Sequence, residues 1–231
     1  MELTPIYYDT ETTGVKADKD RIIEIAAYNP IKNTSFCAFI NPGMPIPKEA
    51  TAIHNISDEM VKEAPSFEQV GLDFINFCGD NAVLIAHNND AFDKVFLCTE
   101  CKRHNLSVPD WLYVDTLKWS RKYRSDLPKH SLQYLREVYG LPANQAHRAL
   151  DDVMILHQVF SLMIDDLPIN IVIELLAENK PLLRMPFGKH QGKLFSEIPQ
   201  DYISWLVKSG FFDKPDNENI KEAFIKAGKT I

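Results

Sequence analysis

At 231 residues, 45% hydrophobic and 25% charged, the chain has the make-up of a globular protein with a sizeable core. It has no run of about 18 apolar residues to span a membrane, and its net charge of −7 argues against a protein that simply coats nucleic acid. The charge is uneven: residues 1–179 carry 16 Lys/Arg against 26 Asp/Glu, whereas residues 180–231 carry 9 against 6. Cys37, Cys78, Cys98 and Cys101 do not suggest a disulfide framework. The opening MELTPIYYD lacks the basic flank and apolar core of a signal peptide, so a cytoplasmic location is expected.

In chain order, residues 5–12 alternate and then meet Gly14, which predicts a strand and a turn. RIIEIAAYNP from Arg21 and SFCAFINPG from Ser35 predict two further strands in an antiparallel meander. NPGMPIPKEATAIHNI reads as a Pro-rich loop, and Ser57-Asp58-Glu59 as the start of an acidic helix. NAVLIAHN from Asn81 is short and apolar, as a buried strand would be, and a helix follows over about 91–105. WLYVDTL from Trp111 predicts a fifth strand, with helices near 131–139 and 147–164. The pattern is that of an α/β domain with a mixed five-stranded sheet over residues 1–167. Residues 168–180 read as a linker helix. Residues 181–231 read as a small basic module, with a Gly-bearing hairpin in FGKHQGKLF and a helix in PQDYISWLVKSG.

Three acidic motifs stand out. On a strand, Asp9 and Glu11 point to the same face, where two like charges repel unless a cation lies between them; an exposed strand end would carry them equally well. In the helix after His147, Ala149, Val153, Leu156 and Phe160 form an apolar stripe. Asp152 borders that stripe and Asp151 faces away. A carboxylate at a core margin needs a metal or a buried arginine. Asp93 follows Phe92 where a buried strand hands over to a helix, a place for a site or simply for a first-turn acid.

Read together, Asp9-Thr10-Glu11, Phe92-Asp93 and His147-Arg148-Ala149-Leu150-Asp151-Asp152 resemble the DEDDh 3′–5′ exonucleases, the family of the DNA polymerase III epsilon subunit. Ala52-Ile53-His54-Asn55-Ile56, the stretch from Tyr113 to Tyr123, and Lys129 to Leu135 echo other segments of that family, so the resemblance covers about residues 5–165. His87-Asn88-Asn89-Asp90-Ala91-Phe92-Asp93 holds one residue more than the family pattern. MPFGKHQGKLFSEIPQDYISWLVKSG resembles the small C-terminal module of the exodeoxyribonuclease X branch.

The resemblance implies a ribonuclease H-like fold and a metal-dependent exodeoxyribonuclease releasing nucleoside monophosphates from DNA 3′ ends, in repair or proofreading. It implies two Mg²⁺ or Mn²⁺ ions held by Asp9, Glu11, Asp93 and Asp152, with His147 as general base. It also implies a pocket for the terminal nucleotide at Thr12, Thr13, Ile53, His54 and Phe92. Lys189 and Lys193 of the basic module are candidates for backbone phosphate. The partner is then a DNA 3′ end, single-stranded, with a polymerase or repair complex and a homodimer both compatible.

Two other functions are alternatives: a 3′ exoribonuclease of the ribonuclease T or oligoribonuclease type, which the catalytic residues do not separate from a DNA-degrading enzyme because selection rests on the 2′-hydroxyl, and a non-catalytic polymerase-associated nucleic-acid-binding subunit, against which the intact five-residue set argues. Cys98, Cys101 and His104 could suggest zinc, but a structural site usually needs two such pairs, and helix packing accounts for them. Lys118-Trp119-Ser120-Arg121-Lys122-Tyr123-Arg124 reads as a solvated helix face, with phosphate tracking as the alternative. Gln191 to Phe195 loosely resembles a clamp-binding peptide, although the hairpin already explains Leu194 and Phe195. Trp205 is expected in the core, with a stacking platform as the alternative.

Overall fold

The computed structural model describes residues 2–143, 148–177, 182–213 and 217–231. The chain forms two compact units, residues 1–176 and 177–231.

The first unit is built on a five-stranded sheet of order β3-β2-β1-β4-β5. Strands β1 (Thr4–Thr12), β2 (Ile22–Asn29) and β3 (Thr34–Phe39) form the antiparallel meander, while β4 (Ala82–Ala86) and β5 (Leu112–Asp115) add on in parallel. Each parallel addition needs a crossover, supplied first by helices α1 (Lys48–His54), α2 (Asp58–Val61) and α3 (Phe67–Cys78), then by α4 (Asp93–Arg103). Helices α5 (Thr116–Tyr123), α6 (Leu132–Val138), α7 (Ala149–Ile164) and α8 (Ile169–Ala177) follow.

The alternation of β1 sorts its side chains between two cores. Ile6 and Tyr8 pack with Phe74, Leu84 and Phe96 on the side of α3 and α4. Tyr7 packs with Ile85, Val153 and Phe160 on the side of α7. A strand buried on both faces can hold charge only at its end, and Asp9 and Glu11 therefore lie where β1 leaves the core, on the α7 side. Gly14 turns the chain there; a Cβ at that position would come within 2.5 Å of the Asp20 carboxylate, which accepts from the Lys16 amide at 2.7 Å.

Two sequence expectations change. The Pro-rich loop contains helix α1, because Pro47 presets the first turn and Ala50 and His54, four apart, are both buried. Asn55 ends it in the left-handed conformation, φ 59°. The acidic helix from Ser57 is a single turn, α2; Pro65 interrupts it, and α3 starts afresh after Ser66. The stretch read as a linker helix is α8, whose Val172 is buried in the α7-side core of the first unit.

In the second unit the expected hairpin shrinks to one antiparallel bridge, Arg184 with Leu194, closing a 3-10 turn at Gly188–His190. Helix α9 (Gln200–Lys208) matches the expected helix, and α10 (Glu218–Lys226) follows it, unforeseen. Phe195, Ile203, Leu206, Phe212 and Phe224 make a separate small core. No helix among the described residues is long and apolar enough to cross a membrane.

Candidate active site

Three elements converge at the end of β1. Carboxylate oxygens of Asp9, Glu11 and Asp152 lie within 4.8 Å of one another. Asp93 joins them from the first turn of α4: its Oδ1 accepts from the Thr10 amide at 3.1 Å and the Thr10 hydroxyl at 2.8 Å. The alternating faces of β1 thus divide the work, Asp9 and Glu11 turning towards α7 and Thr10 holding the α4 acid.

The supporting residues explain the placement. Glu24 stands directly across from Glu11 in the β1–β2 register. Its buried carboxylate accepts from the Arg148 guanidinium at 3.3 Å and from the Ala149 amide at 3.3 Å, tying the start of α7 to β2 and so aiming Asp152 at the sheet. Gln133 Nε2 of α6 donates to Asp152 Oδ1 at 3.1 Å. On the α4 side, Asp115 accepts from four amides: Asn88 and Asp90 at 3.1 Å, Leu117 at 2.9 Å and Lys118 at 3.3 Å. Asn89 is buried, donating to the Leu84 and Val114 carbonyls at 3.1 Å and accepting from the Tyr8 hydroxyl. The extra residue between His87 and Asp93 is therefore absorbed in a pinned turn, with Asn88 left-handed at φ 71° and Phe92 leading directly into α4.

Electrostatically the acids crowd one another. Burial, followed by the Asp93, Glu11, Asp152 and Glu24 carboxylates, holds Asp9 well above the usual carboxylate range. Burial and the Asp152, Glu24 and Asp93 charges push Glu11 up to about 8, against the pull of Arg148. Burial likewise pushes Asp93 up to about 7, although the Thr10 hydrogen bonds favour its anion. An all-oxygen, acid-rich set with this much mutual repulsion has the chemistry of a hard divalent-cation site.

The acids line a cavity of about 290 Å³ together with Phe92, His87 and Gln133. A broader groove of about 660 Å³ shares His87, Asn88 and Ser131 with it and runs past Arg121, Lys129 and His130. Lys118 and Arg124 are paired with Asp90 and Asp126, whereas Arg121 and Lys129 form no ion pair among the described residues. His87 is fixed between the Thr116 hydroxyl at 2.9 Å and the His130 carbonyl at 2.8 Å, and burial lowers its pKa, consistent with a neutral ring.

The remaining sequence candidates are spread more widely. Phe92 is in the cavity wall. Thr12 and Thr13 are buried beside the metal-ligand candidates, with Thr12 Oγ1 donating to the Gly14 carbonyl at 2.6 Å and Thr13 Oγ1 accepting from the Arg21 amide at 3.0 Å. Ile53 is exposed on α1, and His54 is buried with Nδ1 accepting from the Ile56 amide at 3.0 Å. These four do not line the cavity. His147 lies outside the described residues. Lys189 and Lys193 are exposed in the second unit. Glu24, Gln133 and Asp115 were not singled out from sequence; a lone acid in the apolar IIEIAAYN was the one visible sign of Glu24.

Comparison with known proteins decides the family: residues 6–160 match the exonuclease (RNase_T) family model. The chain belongs to this exonuclease family. It is 38% identical over 165 residues to the DNA polymerase III epsilon subunit of Treponema pallidum, covering 68% of this chain and 74% of that protein. It is 36% identical over 166 residues to the PolC-type DNA polymerase III of Caldanaerobacter subterraneus subsp. tengcongensis, covering 70% of this chain but only 12% of that much longer relative. Among solved structures it resembles exonuclease X in complex with 5′ overhanging duplex DNA, with TM-score 0.56, 23% identity, and coverage of 75% of this chain and 99% of that one. At the end of its mixed five-stranded sheet the chain carries an acidic cluster of the kind this metal-dependent family uses. Residues 173–217 match a second model, described as "Putative quorum-sensing-regulated virulence factor".

Proposed function

We propose that this exonuclease is a two-metal exodeoxyribonuclease that removes nucleoside monophosphates from the 3′ ends of single-stranded DNA, in repair or proofreading. The observation that carries the reading is the convergence of Asp9, Glu11 and Asp152 within 4.8 Å, with Asp93 held beside them by Thr10. Asp9, Glu11 and Asp152 would hold one Mg²⁺ or Mn²⁺, and Asp93 with Asp9 a second. Bound there, the ions would neutralise the scissile phosphate and the leaving oxygen and make a water easier to deprotonate. His147 is assigned the general base, an imidazole nitrogen accepting the proton of the attacking water; its unperturbed pKa of about 6.5 suits that task. Gln133 orients Asp152, and Phe92 offers a face to the terminal base without reading it.

Residues 1–167 are assigned to the nuclease domain, 168–180 to a connecting helix and 181–231 to a basic module. Thr12, Thr13, Ile53 and His54 are assigned to the terminal nucleotide pocket on the strength of the family resemblance alone. Upstream phosphates need cations that the acid cluster does not supply. Arg121 and Lys129, in the groove that opens from the cavity, suit the nearest of them, and Lys189 and Lys193 are assigned to other backbone phosphates on the basic charge of their own module. The relatives named as polymerase III proteins make a polymerase partner part of the proposal.

The test compares matched DNA and RNA oligonucleotides. DNA should shorten from its 3′ end in the presence of Mg²⁺, RNA more slowly, and chelation should stop both. Faster loss of RNA would make the chain an exoribonuclease, because selection at such a site rests on the 2′-hydroxyl. Binding without any Mg²⁺-dependent shortening would leave a non-catalytic subunit. His147→Ala should lower single-turnover rates by about 10²–10⁴-fold with metal affinity retained; an unchanged rate would remove His147 from the chemistry.

A further inference from the structure

We propose that the second unit carries a base-stacking site for single-stranded nucleic acid, built on Tyr202 and Trp205 of α9 and flanked by Lys189 and Lys193. The class of ligand rests on the nuclease reading; the site rests on this unit's own residues.

Helix α9 turns Ile203 and Leu206 into the unit's core. Tyr202 and Trp205, three residues apart, share another face, and their rings lie stacked with centroids 5.6 Å apart and planes at 29°. Trp205 is 59% exposed, while Trp111 and Trp119 are 6% and 2% exposed. The small core closes around Phe195, Phe212 and Phe224 without Trp205, so packing gives no reason for an indole at this position. Its outer face is open, and its inner face is already ordered against Tyr202. A platform of this kind accepts a base with little further loss of side-chain freedom.

The cations are brought to the same place by the 3-10 turn. The His190 ring packs edge-on against Tyr202, centroids 4.6 Å apart. Gly188 takes φ +72°, and a Cβ there would sit 3.0 Å from the Tyr202 hydroxyl. The turn and the aromatic pair therefore form one assembly, and Lys189 and Lys193 extend from it into solvent. Neither lysine forms an ion pair among the described residues. An aromatic face beside two uncommitted ammonium groups matches the two repeating features of a single strand, base and phosphate. The match is indifferent to sequence, as an exonuclease that consumes any 3′ end would require.

Tryptophan emission tests this directly on the full chain with metal chelated, so that nothing is hydrolysed. Of the three tryptophans only Trp205 is open to a ligand. Titration with oligothymidylate should quench emission, and parallel titration with oligouridylate tells whether DNA and RNA share the site. Trp205→Ala should abolish the quenching and weaken binding by roughly 5- to 150-fold, the effect of one lost stacked base; Trp205→Phe should keep most of the affinity. Lys189→Ala with Lys193→Ala should keep the quenching while flattening the slope of log K against log salt by roughly 1.4. Oligomer binding seen by anisotropy without quenching, or equal affinity for wild type and a folded Trp205→Ala, would overturn the proposal. Neither result touches the nuclease reading: a chain that degrades DNA without quenching loses only the platform, and a chain that quenches without degrading loses only the nuclease.

Discussion

Glu100 and the acids at the end of β1 are handled in different ways. Glu100 on α4 is almost wholly buried, and its carboxylate meets Arg21 at 2.7 Å, Arg103 at 2.8 Å and His104 at 3.4 Å. Asp9, Glu11 and Asp152 crowd together with Asp93 beside them, and Arg148, which offsets part of the charge on Glu11, is ion-paired with Glu24. A protein that needs a buried carboxylate for structure brings its own cations. Where several carboxylates crowd together, each makes the others harder to ionise, and a bound cation would relieve that repulsion.

The contrast predicts different losses at the two places. At the acid cluster, Asp152→Asn should lower Mg²⁺-dependent hydrolysis by on the order of 10³-fold or more, since a bound metal supplies several kcal/mol of charge stabilisation. Asp151→Asn, one residue away and outside the cluster, should be mild. Single-turnover rates on a labelled oligonucleotide read the difference, and similar rates for the two variants would break the assignment of Asp152 to the site. At the compensated acid, Glu100→Gln should leave the chemistry intact but destabilise the fold by about 3 kcal/mol, the lower end for a broken buried pair because both arginines reach water. Denaturant unfolding measures it.

The raised pKa values sharpen the comparison through pH. Glu11 moves from 4.5 to about 8 and Asp93 from 3.8 to about 7 in the folded, metal-free chain. Folded carboxyls there hold protons that the unfolded chain has already released. Metal-free stability should therefore fall as pH rises from about 4 to about 8. Mg²⁺ should oppose that loss, and its binding should release protons and strengthen across the same window. Melting temperatures with Mg²⁺ and with chelator at several pH values, and calorimetry in two buffers of different ionisation enthalpy, check both statements. A metal-free melting temperature that climbs through this window would mean the cluster is not held charged and crowded as drawn.

The smallest effect lies in the second unit. Gly188→Ala places a Cβ in a left-handed residue against the Tyr202 hydroxyl and should destabilise that unit by about 1–2 kcal/mol. Limited proteolysis should show it while dinucleotide hydrolysis stays unchanged.

Much of the first unit was legible because its signals are periodic. The alternation of β1, the uninterrupted apolar run of β4 and the apolar stripe of α7 each follow from burial, so the order of strands and helices around Asp9, Asp93 and Asp152 could be read from spacing. Helix α1 was missed because prolines at 45 and 47 look like a loop, and only the burial of Ala50 and His54 against the rest of the fold makes that stretch a helix. The exposure of Trp205 reverses the expectation that it is core, because a large aromatic on an amphipathic helix carries no local mark of which face it takes.

Within the site, the sequence by itself determined which acids are available: Asp9 and Glu11 must share a face because strand side chains alternate, and Asp152 must border the core because helical residues recur at fixed angles. Only the tertiary structure decided that Glu24 opposes Glu11 across the sheet and draws Arg148 and the start of α7 to itself, that Thr10 holds Asp93, and that Gln133 reaches Asp152 from α6. Those are contacts between residues 13 to 125 positions apart. Local periodicity fixes direction along one element, whereas the distance between elements is set by how their side chains pack together.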